Sequence, residues 1–209
     1  MNVLRVHLKG WTASFRYPGF AVGVHPSLPL PPLSTLYGLL SAARGELVTP
    51  RDTGLGFVFH SHGKGTDLET TYELSGTLQA GTNVIRREVL FEPELYLYVT
   101  NLSFADAFRQ PYYPLVLGRS TELAQIIATE EVTLQKQSNV KLGHSILPFP
   151  QMQIYGSVHA LPTHFTGDIP RRAVGTRPFL LVEDFQNYTD EVWVDMTQNW
   201  GVWIHEAKA

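Results

Sequence analysis

Residues 3–9 read Val-Leu-Arg-Val-His-Leu-Lys, an apolar–polar alternation of period two. In an extended chain this places Leu4, Val6 and Leu8 on one face and Arg5, His7 and Lys9 on the other. A strand with one apolar and one cationic face belongs in a sheet covered on one side, the other being left to water or to an anionic partner. The chain then runs through Trp11 and Phe15 to Arg16-Tyr17-Pro18-Gly19 and crosses a proline-punctuated stretch, Pro26 to Pro32. It arrives at Ser34-Thr-Leu-Tyr-Gly-Leu-Leu-Ser-Ala-Ala-Arg-Gly45. There Ser34 suits an N-cap, Leu36, Leu39, Leu40 and Ala43 form one helical stripe, and Gly45 suits the left-handed position after a helix. The opening therefore predicts strand, shaped loop, and a helix of about three turns over 34–44.

The remaining segments extend this order. A strand is predicted near 55–62, with Gly63-Lys64-Gly65 as the turn of a polar, projecting hairpin. Residues 84–91 and 94–99 read as two strands joined at Glu92-Pro93, Ser103 caps a short helix over 104–109, and a strand follows near 114–117. Strand-helix-strand-strand-helix-strand is the order of a split ferredoxin-like α+β domain. We expect that domain at 1–131, its inserted hairpin at about 55–83, and a β-rich C-terminal extension, 132–209, packed on it. Residues 132–141 read as a strand and turn, and 179–182 and 192–195 as late strands. Trp200 and Trp203 would either close the core or serve a partner interface.

A chain of 209 residues with 44% hydrophobic and 17% charged residues can bury a full core. It has no apolar run long enough to span a membrane and no recognisable secretory leader. The absence of cysteine excludes disulfides and thiolate metal sites and suits a reducing cytoplasm. A net charge of −3 disfavours a free-standing nucleic-acid binder, but the charge is blocky. Residues 1–51 and 132–182 each carry five Lys or Arg against one acid, whereas 52–131 and 183–209 are acidic. Two basic blocks that converge would make one cationic face.

Signals for chemistry are sparse. His60-x-His62 on a strand would face one way, but no third ligand has a matching spacing, so no metal is expected. No phosphate-cradling glycine loop and no nucleophile-elbow motif occurs, and no acid pair stands out. We assign no catalytic residues and no cofactor. A metal-independent ribonuclease needs a base, an acid and a cation. His25, Tyr37, Lys141 and His144 could supply them, although their spacing defines no triad.

The stretch "GWTASFRYPGF…LPLPPLSTLYGLLSAARG" resembles the N-terminus of the CRISPR-associated (Cas) family five, in the repeat-associated (RAMP) superfamily of RNA-binding proteins. "IRREVLFEPELYLYV" (residues 85–99) and "PLVLGRS" (residues 114–120) resemble it too. The resemblance implies an RRM-like RAMP fold whose hairpin is a thumb intruding on the guide RNA. It further implies a non-catalytic subunit of a type I CRISPR Cascade surveillance complex, of type I-B, for antiviral defence. Such a subunit caps the 5′ handle of the crRNA and contacts the large subunit and the backbone subunits, which its acidic tail and tryptophans are left to face. It meets target DNA only indirectly, through the complex, and is cytoplasmic, with no membrane contact. One branch of the family, in type I-C systems, cleaves the precursor guide RNA instead.

Unpaired RNA ends are read by cations on phosphates and by aromatic stacking. On the resemblance, Lys9, Arg16, Arg86, Arg87, Arg119, Lys136 and Lys141 are candidates for the RNA backbone, with Ser120 beside Arg119, and the Gly63-Lys64-Gly65 hairpin, through Lys64, would push between bases next to the handle. Trp11, Tyr37 and His144 are candidates for stacking or base contact.

Overall fold

The alternation at residues 3–9 forms a strand, β1 (Asn2–Gly10), in the interior of a sheet. The computed structural model describes residues 1–17, 23–74 and 80–206; the predicted Pro18-Gly19 end of the first segment lies outside them. Two short strands follow, β2 (Thr12–Ala13) and β3 (Val24–His25), then helix α1 (Leu33–Arg44). Next come β4 (Leu55–His60), β5 (Gly63–Leu74), β6 (Ala80–Phe91), β7 (Glu94–Val99), helix α2 (Phe104–Arg109) and β8 (Ala124–Thr133). The main sheet has the order β4-β7-β1-β8 and is antiparallel throughout.

Leu4, Val6 and Leu8 share one buried cluster with Leu36, Leu39 and Leu40 of α1 and Phe104 and Phe108 of α2. Burial of each such side chain stabilises the fold by about 1.5–3 kcal/mol. The helix begins after Pro32 rather than at Ser34, with no side-chain cap, because proline's fixed φ suits the helix approach. It ends where predicted: Gly45 has φ 81° and its N–H donates to the Ser41 carbonyl.

Three expectations change. The last strand of the sheet is β8, not residues 114–117, which hold only an isolated bridge between Val116 and Leu123. Its sequence, Ala-Gln-Ile-Ile-Ala-Thr-Glu-Glu-Val-Thr, is polar because it is a sheet edge with half its positions near solvent. Gly63-Lys64-Gly65 is the start of β5 rather than a turn. β5 pairs with β6 along its length, from Gly63 opposite Phe91 to Leu74 opposite Ala80, while β4 pairs with β7. The polar ribbon is therefore formed by 63–74 and 80–91. Its side chains Leu68, Tyr72 and Val84 are all more than half exposed.

The third change concerns the second face of the sheet, which is not open. The chain after β8 folds back on the domain: Leu134 and the residues of its last strands cover this face, while Ile146, Leu161, Phe179 and Leu181 join the helix-side core. This segment forms β9 (Gln135–Gln137), β10 (Val140–Leu142), β11 (Ser145–Pro148), β12 (Ser157–Leu161), β13 (His164–Phe165) and β14 (Ala173–Val174). It closes with β15 (Arg177–Val182), β16 (Gln186–Tyr188), β17 (Val192–Asp195) and β18 (Trp200–Val202). Val3, Tyr98, Leu134 and Val202 form a buried cluster with Trp193 and Trp200 packed on it. The Arg5 guanidinium, 9% exposed as a residue, is held by Asp195 at 2.6 Å and Glu130 at 2.5 Å. His7 stacks on Tyr96 and bonds Glu94 at 2.6 Å. The Arg5 guanidinium thus meets acids from β8 and β17, because leaving it unpaired under a protein layer would cost several kcal/mol. Among the described residues no helix is long and apolar enough to cross a membrane.

Candidate nucleic-acid interface

Period-two geometry builds one wall of a cleft. Phe15 is buried, packs edge-on against Phe59 with centroids 5.4 Å apart, and donates its N–H to Ser27 Oγ. The Leu28 N–H donates to the Phe15 carbonyl at 2.8 Å. With Phe15 pinned inward, Arg16 turns outward and is exposed. A second wall is β6, where β3 pairs in parallel and sets His25 opposite Arg87. Glu88 accepts the Ser27 N–H at 3.0 Å and the Lys64 ammonium at 2.7 Å.

The third wall is the Gly118-Arg119 turn. Gly118 has φ 133°, and a Cβ there would lie 2.1 Å from the Ser14 carbonyl oxygen and 2.3 Å from Glu122 Oε2. Only glycine fits this approach. The buried Glu122 carboxylate accepts Ser14 Oγ–H at 2.9 Å and the Arg119 N–H at 2.7 Å. Burial pushes its carboxyl above the usual range, against the opposing Ser14 bonds. The Arg119 side chain, free of Glu122, crosses to β5 and bonds Glu69 Oε2 through both terminal nitrogens, at 2.9 and 3.0 Å. Arg87 pairs with the same oxygen.

Arg16, Arg87 and Arg119, from three distant parts of the sequence, thereby line one cavity of about 430 Å³ with His25 and Tyr17. It lies at the base of the β5–β6 ribbon. Arg16 has no acid partner among the described residues. Buried His25 Nε2 has no hydrogen-bond partner either. Guanidiniums on three sides of an open cleft suit an anion with oxygens in several directions, as a phosphodiester has.

The other predicted residues are dispersed. Lys64 borders this region through Glu88, and Ser120 is exposed after Arg119. Arg86 is exposed on the strand next to Arg87, so it points the opposite way. Lys9 and Trp11 line a different cavity of about 520 Å³ with His62, Glu92 and Leu123. There Lys9 bonds Glu94 at 3.1 Å, and Trp11 is 85% exposed. A common surface joining Lys9 to Arg16 and Arg119 on an open sheet face is thus not what the fold builds.

Tyr37 is buried in α1 and donates to the Thr53 carbonyl at 3.1 Å, so it offers no ring for stacking. Burial pushes its hydroxyl pKa far up. Lys136 pairs with Glu191 and lies over Trp193, and Lys141 is exposed on β10 opposite Asn187. His144 packs on His60, centroids 4.1 Å apart, and on Phe185. Burial, with His60 nearby, lowers its pKa to about 4 and keeps it neutral. No hydrogen bond or ring contact joins any two of His25, Tyr37, Lys141 and His144 among the described residues. Among them no group of three or more His, Asp or Glu is placed to hold a metal.

The half-buried C-terminal tryptophans pack on the core: Trp200 donates to Tyr98 Oη at 3.0 Å, and Trp203 packs edge-on to Tyr188. Glu69, Glu88 and Glu122, which organise the arginines, carried no sequence signal beyond being acids near basic motifs.

No family model matches the sequence, and no curated protein matches it. Among solved structures, a chain of a "CRISPR RNA-guided surveillance complex" is similar at 20% identity with a TM-score of 0.59, covering 88% of this chain and 91% of that one. A chain of the type III-B Cmr-beta complex bound to cognate target RNA and AMPPnP is similar at 12% identity with a TM-score of 0.60, covering 90% and 86%. At such identities the likeness is one of fold: the chain shares its backbone architecture with components of RNA-guided CRISPR complexes.

Proposed function

We propose that this chain is a Cas family-five subunit of the RAMP superfamily that caps the 5′ handle of crRNA in a type I Cascade, of type I-B. The β-α-β-β-α-β order with the sheet order β4-β7-β1-β8 supports a ferredoxin-like, RRM-like domain. The residues after β8 form its β-rich extension, and the β5–β6 ribbon is its thumb. The observation that carries the reading is the convergence of Arg16, Arg87 and Arg119 on one cleft at the ribbon's base. RNA phosphates enter that cleft, and the exposed ribbon residues meet the adjoining nucleotides or the backbone subunit. The chain works in the cytoplasm, meeting the large subunit through surfaces away from the cleft and target DNA only through the complex.

The test is the Arg16→Ala/Arg119→Ala double variant, assayed for binding to single-stranded handle RNA over a salt series. Affinity should fall, and the slope of log K against log salt should flatten by about 1.4, two phosphate contacts on a single strand. Unchanged binding and slope would remove the cleft from the RNA path.

His25 favours a second reading. Of the four ribonuclease candidates it alone lines the cleft, with a buried nitrogen lacking a partner. A metal-independent endoribonuclease acting on precursor crRNA would cut repeat RNA at one site in EDTA, and His25→Ala would abolish the cut. Intact RNA after prolonged incubation would exclude it.

A further inference from the structure

One carboxylate oxygen beside the cleft serves two of the guanidiniums that line it. Glu69 Oε2 accepts from Arg119 at 2.9 and 3.0 Å and also from Arg87. That is the charge-assisted pattern a phosphate oxygen receives from an arginine pair. The two arginines come from different bodies, since Arg87 is on the ribbon and Arg119 on the Gly118 turn of the sheet domain. Without an anion between them they would repel each other. Glu69 is 38% exposed at its side chain, so solvent and ligand reach it. It sits on β5, on the same strand face as Asp67, which among the described residues accepts only the Leu68 N–H.

We propose that Glu69 is an internal stand-in for RNA phosphate: it occupies the Arg87–Arg119 anion position in the free chain and is displaced when RNA enters. The inference rests on the cleft being the RNA site. It has two consequences. The arginines are held in their binding geometry before ligand arrives, which limits the ordering cost of binding. The carboxylate also competes with any incoming anion, so a lone weak anion gains little, whereas a polynucleotide bringing several phosphates at once overcomes it. Glu69 is then a residue that sets selectivity for a continuous RNA strand.

The test uses the full-length chain and two probes, handle RNA and a short oligouridylate, with Glu69→Gln, Asp67→Asn and Arg119→Ala. Glu69→Gln keeps the shape and removes the competing charge. It should tighten both RNAs by about fivefold at low salt, the worth of a freed ion pair, and most for the oligouridylate. Asp67→Asn makes the same charge change on the same strand and should move affinity less than twofold. In the Arg119→Ala background the gain from Glu69→Gln should shrink.

An equal gain from Asp67→Asn would reduce the effect to general charge and overturn the proposal. So would weaker binding by Glu69→Gln with an unchanged melting temperature, which would make Glu69 a strut. Arg119→Ala separates the layers. If it weakens RNA binding while Glu69→Gln has no effect, this inference alone fails. If it leaves binding unchanged, the functional reading fails first.

Discussion

Arg5 on β1 and Asp195 on β17, separated by 190 residues, meet at 2.6 Å on the second face of the sheet. Asp195 also accepts the Tyr98 hydroxyl at 2.9 Å and the Thr197 hydroxyl at 2.7 Å. Burial pushes its carboxyl up, but the bonds from Thr197, Arg5 and Tyr98 outweigh this and hold it below the usual range. The contact fastens the last strands to the first. It also explains why Arg5, on a strand that alternates apolar and cationic residues, contributes no cationic surface, while Lys9 at the strand's end stays exposed.

Removing Asp195 leaves the Arg5 guanidinium with Glu130 alone and the buried Tyr98 hydroxyl without its acceptor. Asp195→Ala is therefore expected to destabilise the chain by about 3–5 kcal/mol, measured by urea unfolding. Arg5→Met/Asp195→Leu, which removes both charges, should recover most of the loss. A cost below about 1 kcal/mol for Asp195→Ala would mean that water replaces the contact.

His205 gives a pH dependence of definite sign. It is 5% exposed, its Nε2–H donates to the Ile146 carbonyl at 2.9 Å, and its backbone pairs with Leu55 at the β4 edge. Burial lowers its pKa to about 4, against the pull of the Ile146 bond. The unfolded chain takes up this proton near pH 6.5 and the folded chain only near 4, so stability falls as pH falls through that window. His144 and His60 are shifted the same way and add to the slope. His205→Gln should flatten melting temperature against pH between about 6.5 and 4 by roughly one proton's worth. A curve parallel to wild type would show that His205 does not titrate on unfolding.

Periodicity made β1 and α1 legible, since each carries its buried face at the spacing of its own geometry. β8 was not legible: an edge strand needs little apolar sequence, and Thr129-Glu130-Glu131 breaks any apolar alternation. Nor was the covered face, because the acids that neutralise Arg5 lie 125 and 190 residues away. At the cleft, Arg16 and Arg119 stood out within local motifs. Glu69 did not, because its meaning comes from a contact to Arg119 across 50 residues. Charge type can be read from sequence, whereas which charge satisfies which is set by the packed fold.

Trp11 separates stacking from charge. At 85% exposure it contributes little to the core, so Trp11→Ala should change stability by no more than about 0.5 kcal/mol. If RNA extends from the arginine cleft to the cavity of Trp11 and Lys9, the variant should lose about 1–3 kcal/mol of handle affinity with an unaltered salt slope. Unchanged affinity would confine the RNA to the arginine cleft.

Two glycines test the turn that carries Arg119. Gly118 has φ 133°, and a Cβ there would meet the Ser14 carbonyl oxygen at 2.1 Å, a backbone atom that cannot swing aside. Gly118→Ala should therefore open the Ser14–Glu122–Arg119 cluster, lower the melting temperature and weaken RNA binding together. Gly38, exposed within α1, has room for a methyl group, with nothing within 4 Å of where its Cβ would stand and no unusual φ. Gly38→Ala should raise stability by about 0.5–1 kcal/mol through helix propensity, with RNA affinity unchanged. The pair calibrates the assay: if Gly118→Ala melts like wild type yet loses RNA affinity, the turn positions Arg119 without supporting the fold. If both properties survive, Arg119 reaches the cleft without needing the glycine geometry, and the turn is not part of the site.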